Sequence, residues 1–187
     1  MKQTNELILE SALVEFSRIG FADAKVETVA QNCGLNKITI FRHFESKERL
    51  FQAVIDTYIR NAEPPELPDL KGLPLKDGLL KLCMSLILYM FDHIHALRIE
   101  VQADGLLEQE DGHFRKVIEG IIYSYLEQFN LSPFPDLHFY AEMLACQVVC
   151  VALTNNKNGG IWTPDEAFLS SVDTMLRKRI SFLLWKL

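Results

Sequence analysis

Along the first sixty positions apolar residues recur at spacings of three and four, the repeat of helices that bury one face. Ile8, Ala12, Phe16 and Ile19 make such a stripe over residues 5–19, and Gly20 closes it, with Phe21 tucking back beneath. Glu15 and Arg18 fall off the stripe and are expected in solvent. Val26, Val29, Ala30 and Cys33 make a second, shorter stripe. Gly34 follows, where a left-handed backbone is cheap only for glycine. Leu35 plugs the turn, and Asn36 caps a further helix by accepting from its free backbone N–H groups. Ile40 and Phe44 point inward at i, i+4, leaving Lys37, Thr39, Phe41, Arg42 and His43 on the other faces. Ala30 is small where the two helices cross. The first helix then completes a three-helix core around Phe16, Val29, Ile40 and Phe44.

Ser46 caps a fourth helix, with Glu48 in its first turn and Leu50, Val54 and Tyr58 inward. Residues 63–74 hold four of the seven prolines and a glycine, which no helix continues through. They divide the chain into domains 1–62 and 63–187; a long loop within one domain is the other reading. Residues 75–93 are apolar on several sides, as a central helix is. A helix over 96–107 and an acidic turn at 108–112 follow. The next helix, 113–129, points Phe114, Val117, Ile121, Ile122, Tyr125 and Phe129 inward, and residues 132–135 break it.

Asp136 caps a long helix to about residue 153. Leu137, Ala141, Leu144, Val148 and Val151 form one seam on it, and Met143, Cys146, Cys150 and Leu153 a second. Residues 155–160 are a loop. Thr163, Pro164 and Glu166 signal the start of a last helix, with Phe168, Val172, Met175, Leu176, Ile180, Leu183 and Leu184 inward. The fold class expected is all-α. A helix apolar on two faces needs two partners, so the last two helices form the expected dimer surface; a core helix in a monomer is the alternative.

The pair of short helices around Gly34 has the spacing of a helix-turn-helix, whose second helix lies in the DNA major groove. Two short helices around a glycine also occur in all-α proteins without nucleic-acid partners. The flanks extend the pattern. ILESALVEFSRIGF, VETVAQNCGLNKITIFRHF and ESKERLFQAV, spanning about residues 8–53, resemble the N-terminal domain of the TetR family of bacterial transcriptional regulators. Three positions depart from the family pattern: Ile38 stands where a small residue is usual, Phe41 replaces a tyrosine, and Lys25 replaces Thr or Ser.

The resemblance implies an N-terminal three-helix reading domain and a C-terminal helical domain that dimerises and binds an inducer. It implies that the last two helices of each subunit form a four-helix bundle across a two-fold axis. The fourth helix would set the separation of the reading heads. The candidate DNA contacts are Lys37, Thr39, Phe41, Arg42, His43 and Lys47, with Arg42 and Thr39 suited to base edges and Lys37 and Lys47 to phosphates. Candidate walls for an effector are Met84, Tyr89, Met90, Phe91, Phe114, Tyr123, Phe139, Tyr140 and Met143; the same residues would line an ordinary core. A small apolar or aromatic effector, cationic given the acidic domain, fits them. The expected partners are thus a near-palindromic duplex operator, that effector and a second copy of the chain.

The totals change little. Of 187 residues, 49% are apolar and 24% charged, ordinary for a globular chain. The net charge of −6 argues against DNA until it is divided: residues 1–62 carry eight basic and eight acidic residues, so the excess acid lies elsewhere. Lys37, Arg42 and Lys47 cluster locally. The basic run at 177–179 is expected in solvent. No apolar run reaches a membrane span, the N-terminus is no signal peptide, and a cytoplasmic location is the default. Cys33, Cys83, Cys146 and Cys150 form no CxxC pair and are expected as small buried thiols, while His93 and His95 are expected at a helix end or surface. No cofactor, metal or membrane partner is expected. The sequence has no GxSxG, HExxH or glycine-rich phosphate loop, so an enzyme is not expected. A metal- or thiol-responsive sensor using Cys83, Cys146, Cys150 or His93 is the alternative to an effector-bound regulator.

Overall fold

A computed structural model describes residues 2–103, 112–129, 131, 136–155 and 164–184. The expected acidic turn, the break at 132–135, the loop after residue 155 and the cap at Thr163 lie wholly or largely outside them. The described residues form helices without strands: α1 Lys2–Asp23, α2 Val26–Asn32, α3 Lys37–Phe44, α4 Lys47–Ile55, α5 Leu75–Asp92, α6 Ile94–Gln102, α7 His113–Glu127, α8 Leu137–Asn155 and α9 Glu166–Leu183. They pack as two compact units. One takes Met1–Glu63 and His95–His113, the other Pro64–Ile94 and Phe114–Leu187.

In the first unit, Ile8, Ala12 and Phe16 are buried, as their spacing requires. Helical geometry breaks at Gly20 (φ 81°, ψ 165°), and one further turn runs to Asp23. That turn brings the Phe21 ring to 4.7 Å from Phe51, which itself lies edge-on to Phe16 at 5.0 Å. These three rings join α1 to α4. On α2, Val29 accepts at its carbonyl a hydrogen bond from Ser11 Oγ (3.0 Å), tying α2 to α1. Val26, Val29, Ala30 and Ile40 are buried beside them. Beyond Ile55 the fourth helix widens into one π-helical turn, Asp56–Arg60, which the apolar spacing does not announce.

Two expectations are corrected here. Glu15 is 2% exposed rather than solvated, and Arg18 one turn on donates to it at 2.9 Å. The guanidinium supplies that buried carboxylate with a hydrogen-bond partner. His95 is half-buried rather than simply at the surface, with Nδ1 2.7 Å from Ser17 Oγ. Ser17 spends its own proton on the Val14 carbonyl (2.9 Å), so Nδ1 is the donor to Ser17. Gln102 Nε2 donates to the Ser17 carbonyl. This polar seam holds α6 in the first unit, although the expected boundary at residue 62 leaves that segment with the C-terminal residues.

In the second unit α5 is central: Leu79, Leu82, Cys83, Leu86, Ile87 and Met90 are fully buried, and it packs on α8 and α9. The proline-rich segment lies along it, with Lys81 Nζ donating to the Asp69 carbonyl and Ser85 Oγ to that of Glu66. α7 turns slightly from its expected face, so that Ile118 and Leu126 are buried while Val117, Ile121 and Phe129 are half-buried. On α8 the seam of Ala141, Leu144, Val148 and Val151 is inward. By length and composition α8 could cross a membrane, with a mean hydropathy of 1.5, which corrects the expectation that no stretch does. Glu142 and Gln147 interrupt its apolar run; the buried seam gives the soluble alternative for the same composition. α9 is capped by Asp165, whose carboxylate accepts from Phe168 N at 2.7 Å, two residues past the expected Thr163.

Gly78 of α5 lies directly beneath Tyr125 of α7: a Cβ added there would sit 1.7 Å from the phenolic oxygen. That oxygen is buried with no hydrogen-bond partner. Gly78→Ala is therefore expected to destabilise the fold by about 1–3 kcal/mol. Tyr125→Phe, which deletes an unpaired buried hydroxyl, should cost nothing. Chemical denaturation of both variants checks the pair. Burial, then Arg98, lowers the pKa of His95 from its usual 6.5. The unfolded chain then binds the proton more readily, so this contribution is complete above pH 6.5 and is lost as pH falls through the folded value. A His95→Gln variant should show a flatter stability profile over that window.

Candidate nucleic-acid interface

The stretch from α2 to α4 is built from a few local bonds. Gly34 takes φ 67°, and Leu35 N closes the turn onto the Ala30 carbonyl at 2.8 Å. Cys33 is half-buried, its thiol donating to the Val29 carbonyl at 3.0 Å. Asn36 has extended backbone, and its Oδ1 accepts from both Thr39 N (2.8 Å) and Thr39 Oγ1 (3.0 Å). Ile40, fully buried, anchors the middle of α3. At the far end Glu45 takes φ 64°, ψ −49°, and Ser46 N bonds the Phe44 carbonyl at 2.6 Å. That is a γ-turn of the rare positive-φ kind, a strained joint for a residue with a side chain. Ser46 then caps α4 by accepting from Arg49 N.

The six candidate contacts fall into two groups. Arg42 is exposed and makes no ion pair among the described residues. His43 and Phe41 are half-buried. Lys37 is exposed but engaged: it pairs with Glu27 of α2 and lies 5.3 Å from the Phe41 ring centre. The Lys37 hydrogen bond is the largest cause holding the Glu27 carboxyl below its usual range. Thr39 has spent its hydroxyl proton on Asn36, so it can only accept from a base edge. Lys47 is half-buried, donating to the Ala22 carbonyl at 3.0 Å with its ammonium 4.7 Å from the Phe21 ring centre. It fastens the start of α4 to the end of α1, and only its remaining protons are left for a phosphate. Three exposed side chains were not among the candidates: Lys25 before α2, Arg49 in the first turn of α4, and Ile38 on α3. Charge type alone does not separate them from other surface residues; exposure does.

The nine candidate effector-contacting residues all lie in the second unit but are spread through it. Met90, Phe91 and Phe114 are buried, Phe139 is exposed, and the other five are half-buried. Tyr89, His93 and Phe114 form one ring cluster, with Tyr89 4.3 Å from His93. Phe91 meets Phe168 at 5.6 Å, and Tyr123 stacks on His138 at 4.0 Å. Tyr140 borders an apolar gap of about 10 Å³ with Leu79, Leu126, Leu144 and Ile180. His93, His138 and Phe168 were not candidates and sit among them.

The thiols divide unexpectedly. Cys83 is buried, which pushes its pKa up to about 12. Cys146 and Cys150 are exposed, which corrects their expectation as buried thiols. They lie on the second apolar row of α8, which turns away from its own unit. Among the described residues no three His, Cys, Asp or Glu side chains come together as a metal-ligand set.

Residues 8–54 match the family model for bacterial regulatory proteins of the tetR family. The chain is 30% identical over 103 residues to the HTH-type transcriptional regulator UidR of Escherichia coli (strain K12), covering 55% of this chain and 52% of that one. It is 25% identical over 108 residues to the HTH-type transcriptional regulator SrpR of Pseudomonas putida, covering 58% and 47%. The matched part thus spans about half the length of these relatives. In fold it is similar to a TetR-like transcriptional regulator from Rhodococcus sp. RHA1, with a TM-score of 0.67 at 18% identity over 96% of this chain and 95% of that one. It is also similar to the fatty acid degradation regulator FadR from Bacillus halodurans, with a TM-score of 0.59 at 12% identity over 94% and 93%. The resemblance read from residues 8–53 holds, and the all-α fold with an N-terminal helix-turn-helix domain is that of TetR-like regulators.

A phosphate approaching Lys37 would have to compete with Glu27 for it. Glu27→Gln is expected to tighten binding to duplex DNA of any sequence and to steepen its logarithmic salt dependence by about one unit per head. Titrations at several salt concentrations measure both.

Proposed function

We propose that this TetR-like chain is a homodimeric, ligand-responsive transcriptional regulator, a repressor released from a near-palindromic operator by a small apolar or aromatic effector, and not an enzyme. Residues 1–62 carry the reading helices, with α6 in the same unit, and the second unit is the effector and dimer domain, in a cytoplasmic protein. The observation that carries the reading is α3 itself: a capped helix, anchored by buried Ile40, with Arg42 exposed beside polar groups on its outer side. Arg42 suits the O6 and N7 acceptors of guanine in the major groove.

The dimer reading is supported by apolar surface. On α8, Phe139, Cys146 and Cys150 are exposed, with Met143 and Leu153 half-buried in the same row; on α9, Phe182 is 76% exposed. A two-fold pairing through these helices would set the two α3 helices about 34 Å apart, one turn of DNA. An effector bound in the second unit would release the operator only by binding one spacing of the heads more tightly than the other. The exposure of Cys146 and Cys150 also favours a second form of the same reading, in which their oxidation or alkylation changes the dimer; alkylation-insensitive DNA binding would remove it.

Selection of bound duplexes from a random pool tests the function, and an enriched near-palindrome is the expected result. No enrichment by folded, dimeric protein would overturn it. On the selected duplex, Arg42→Ala should weaken binding by about 1–3 kcal/mol per head and relax the preference at one position of each half-site. Phe182→Asp should shift the protein towards monomer in sedimentation.

A further inference from the structure

Ile38 is 73% exposed, the most exposed large apolar side chain among the described residues of the first unit. It holds nothing together: the inner side of α3 is supplied by Ile40, with Phe44 half-buried beside it. Its exposed neighbours Asn36, Lys37 and Arg42 are polar, and the apolar Leu35 and Phe41, three residues to either side, are half-buried. A lone β-branched side chain left in water needs an apolar contact elsewhere to gain anything from its position, and its stiff χ1 keeps it pointed outward. It sits in the first turn of α3, directly after the Asn36 cap, and the N-terminal residues of a reading helix are those that meet base edges. Arg42 lies four residues on, on the same face.

The major groove presents one apolar group among its donors and acceptors, the C5 methyl of thymine. We infer that Ile38 reads that methyl, packing on one thymine in each half-site while Arg42 takes a guanine. This rests on the DNA-reading assignment made above. The rise between the two residues is about 6 Å, so the thymine and the guanine lie within about two base pairs of each other. Ile38 is then a specificity-determining residue: it discriminates thymine from cytosine by a methyl group, where the cations around it carry charge and no such preference.

The test uses the full chain and the duplex it selects, with thymines replaced one at a time by deoxyuridine, which removes only the methyl. Wild-type protein should lose about fourfold in affinity at a single thymine of each half-site, the worth of one buried methyl-sized group. Ile38→Ala, which keeps helix propensity and exposes nothing, should bind the thymine duplex more weakly and bind the deoxyuridine duplex equally well. Its response to changes at the guanine read by Arg42 should match wild type. Wild-type protein that is indifferent to every thymine methyl, or an Ile38→Ala variant that keeps the same fourfold loss, overturns the assignment of Ile38 alone. A folded protein that selects no duplex overturns the reading beneath it as well.

Discussion

An eight-residue helix does not hold itself together in water, because two turns of hydrogen bonds do not recover the cost of nucleation. α3 is such a helix, and the placing of its outward side chains depends on what fixes it. Asn36 satisfies the free Thr39 N–H, Gly34 supplies the positive φ by which the chain arrives from α2, and Ile40 is sealed beneath. The γ-turn at Glu45 then starts α4 at once. Little slack remains at either end. Arg42 and Ile38 are therefore presented by borrowed rigidity, from a core whose largest members, Phe16 and Phe51, lie on α1 and α4.

The same economy governs the charges. Two lysines were expected to face phosphate, and both have work inside the protein. Lys47 fastens α4 to the carbonyl end of α1, and Lys37 bridges α3 to Glu27. A polyanion must then compete for Lys37 with a carboxylate already within reach. Exposed ion pairs of this kind are weak, so the exchange is inexpensive. It still lowers the gain from non-specific contact, which leaves a larger share of any preference to the outward groups of α3.

Much of this was legible in the sequence, and the parts that were not share a cause. The helix-turn-helix was readable because its determinants are local: a glycine at positive φ, a cap, and inward residues at fixed spacing. Caps at Asn36 and Ser46 came out as expected, whereas α9 is capped by Asp165 because Thr163–Pro164–Asp165–Glu166 offers two overlapping start signals. Glu15 was misread since its partner lies off the apolar stripe, and periodicity assigns any carboxylate beside a stripe to solvent. Cys146 and Cys150 were misread for the opposite reason. An apolar row reads as buried, and periodicity does not say by which chain. The membership of α6 was invisible because Ser17, His95 and Gln102 meet across nearly eighty residues of sequence or more. The candidate effector residues rested on residue type alone, and aromatic side chains in a helical core find one another in small clusters whether or not they also enclose a ligand.

The two apolar faces of α8 connect these points. Its inner seam is fully used within the second unit, while Phe139, Cys146 and Cys150 remain outward. Scattered singly, such side chains would need no explanation; in one row along a helix they form a surface that pairing would remove from water. If the first unit reads DNA, a single copy offers little with which to hold it: one arginine and one isoleucine exposed on α3, in a domain whose charges balance. On the proposed reading these two shortages resolve together. Pairing through α8 and α9 covers the apolar row and at the same time doubles the reading surface, with the second head held at high effective concentration once the first has bound. The affinity of the pair then depends on the separation of the heads. A protein with weak single heads is the kind whose binding a small change in that separation can switch.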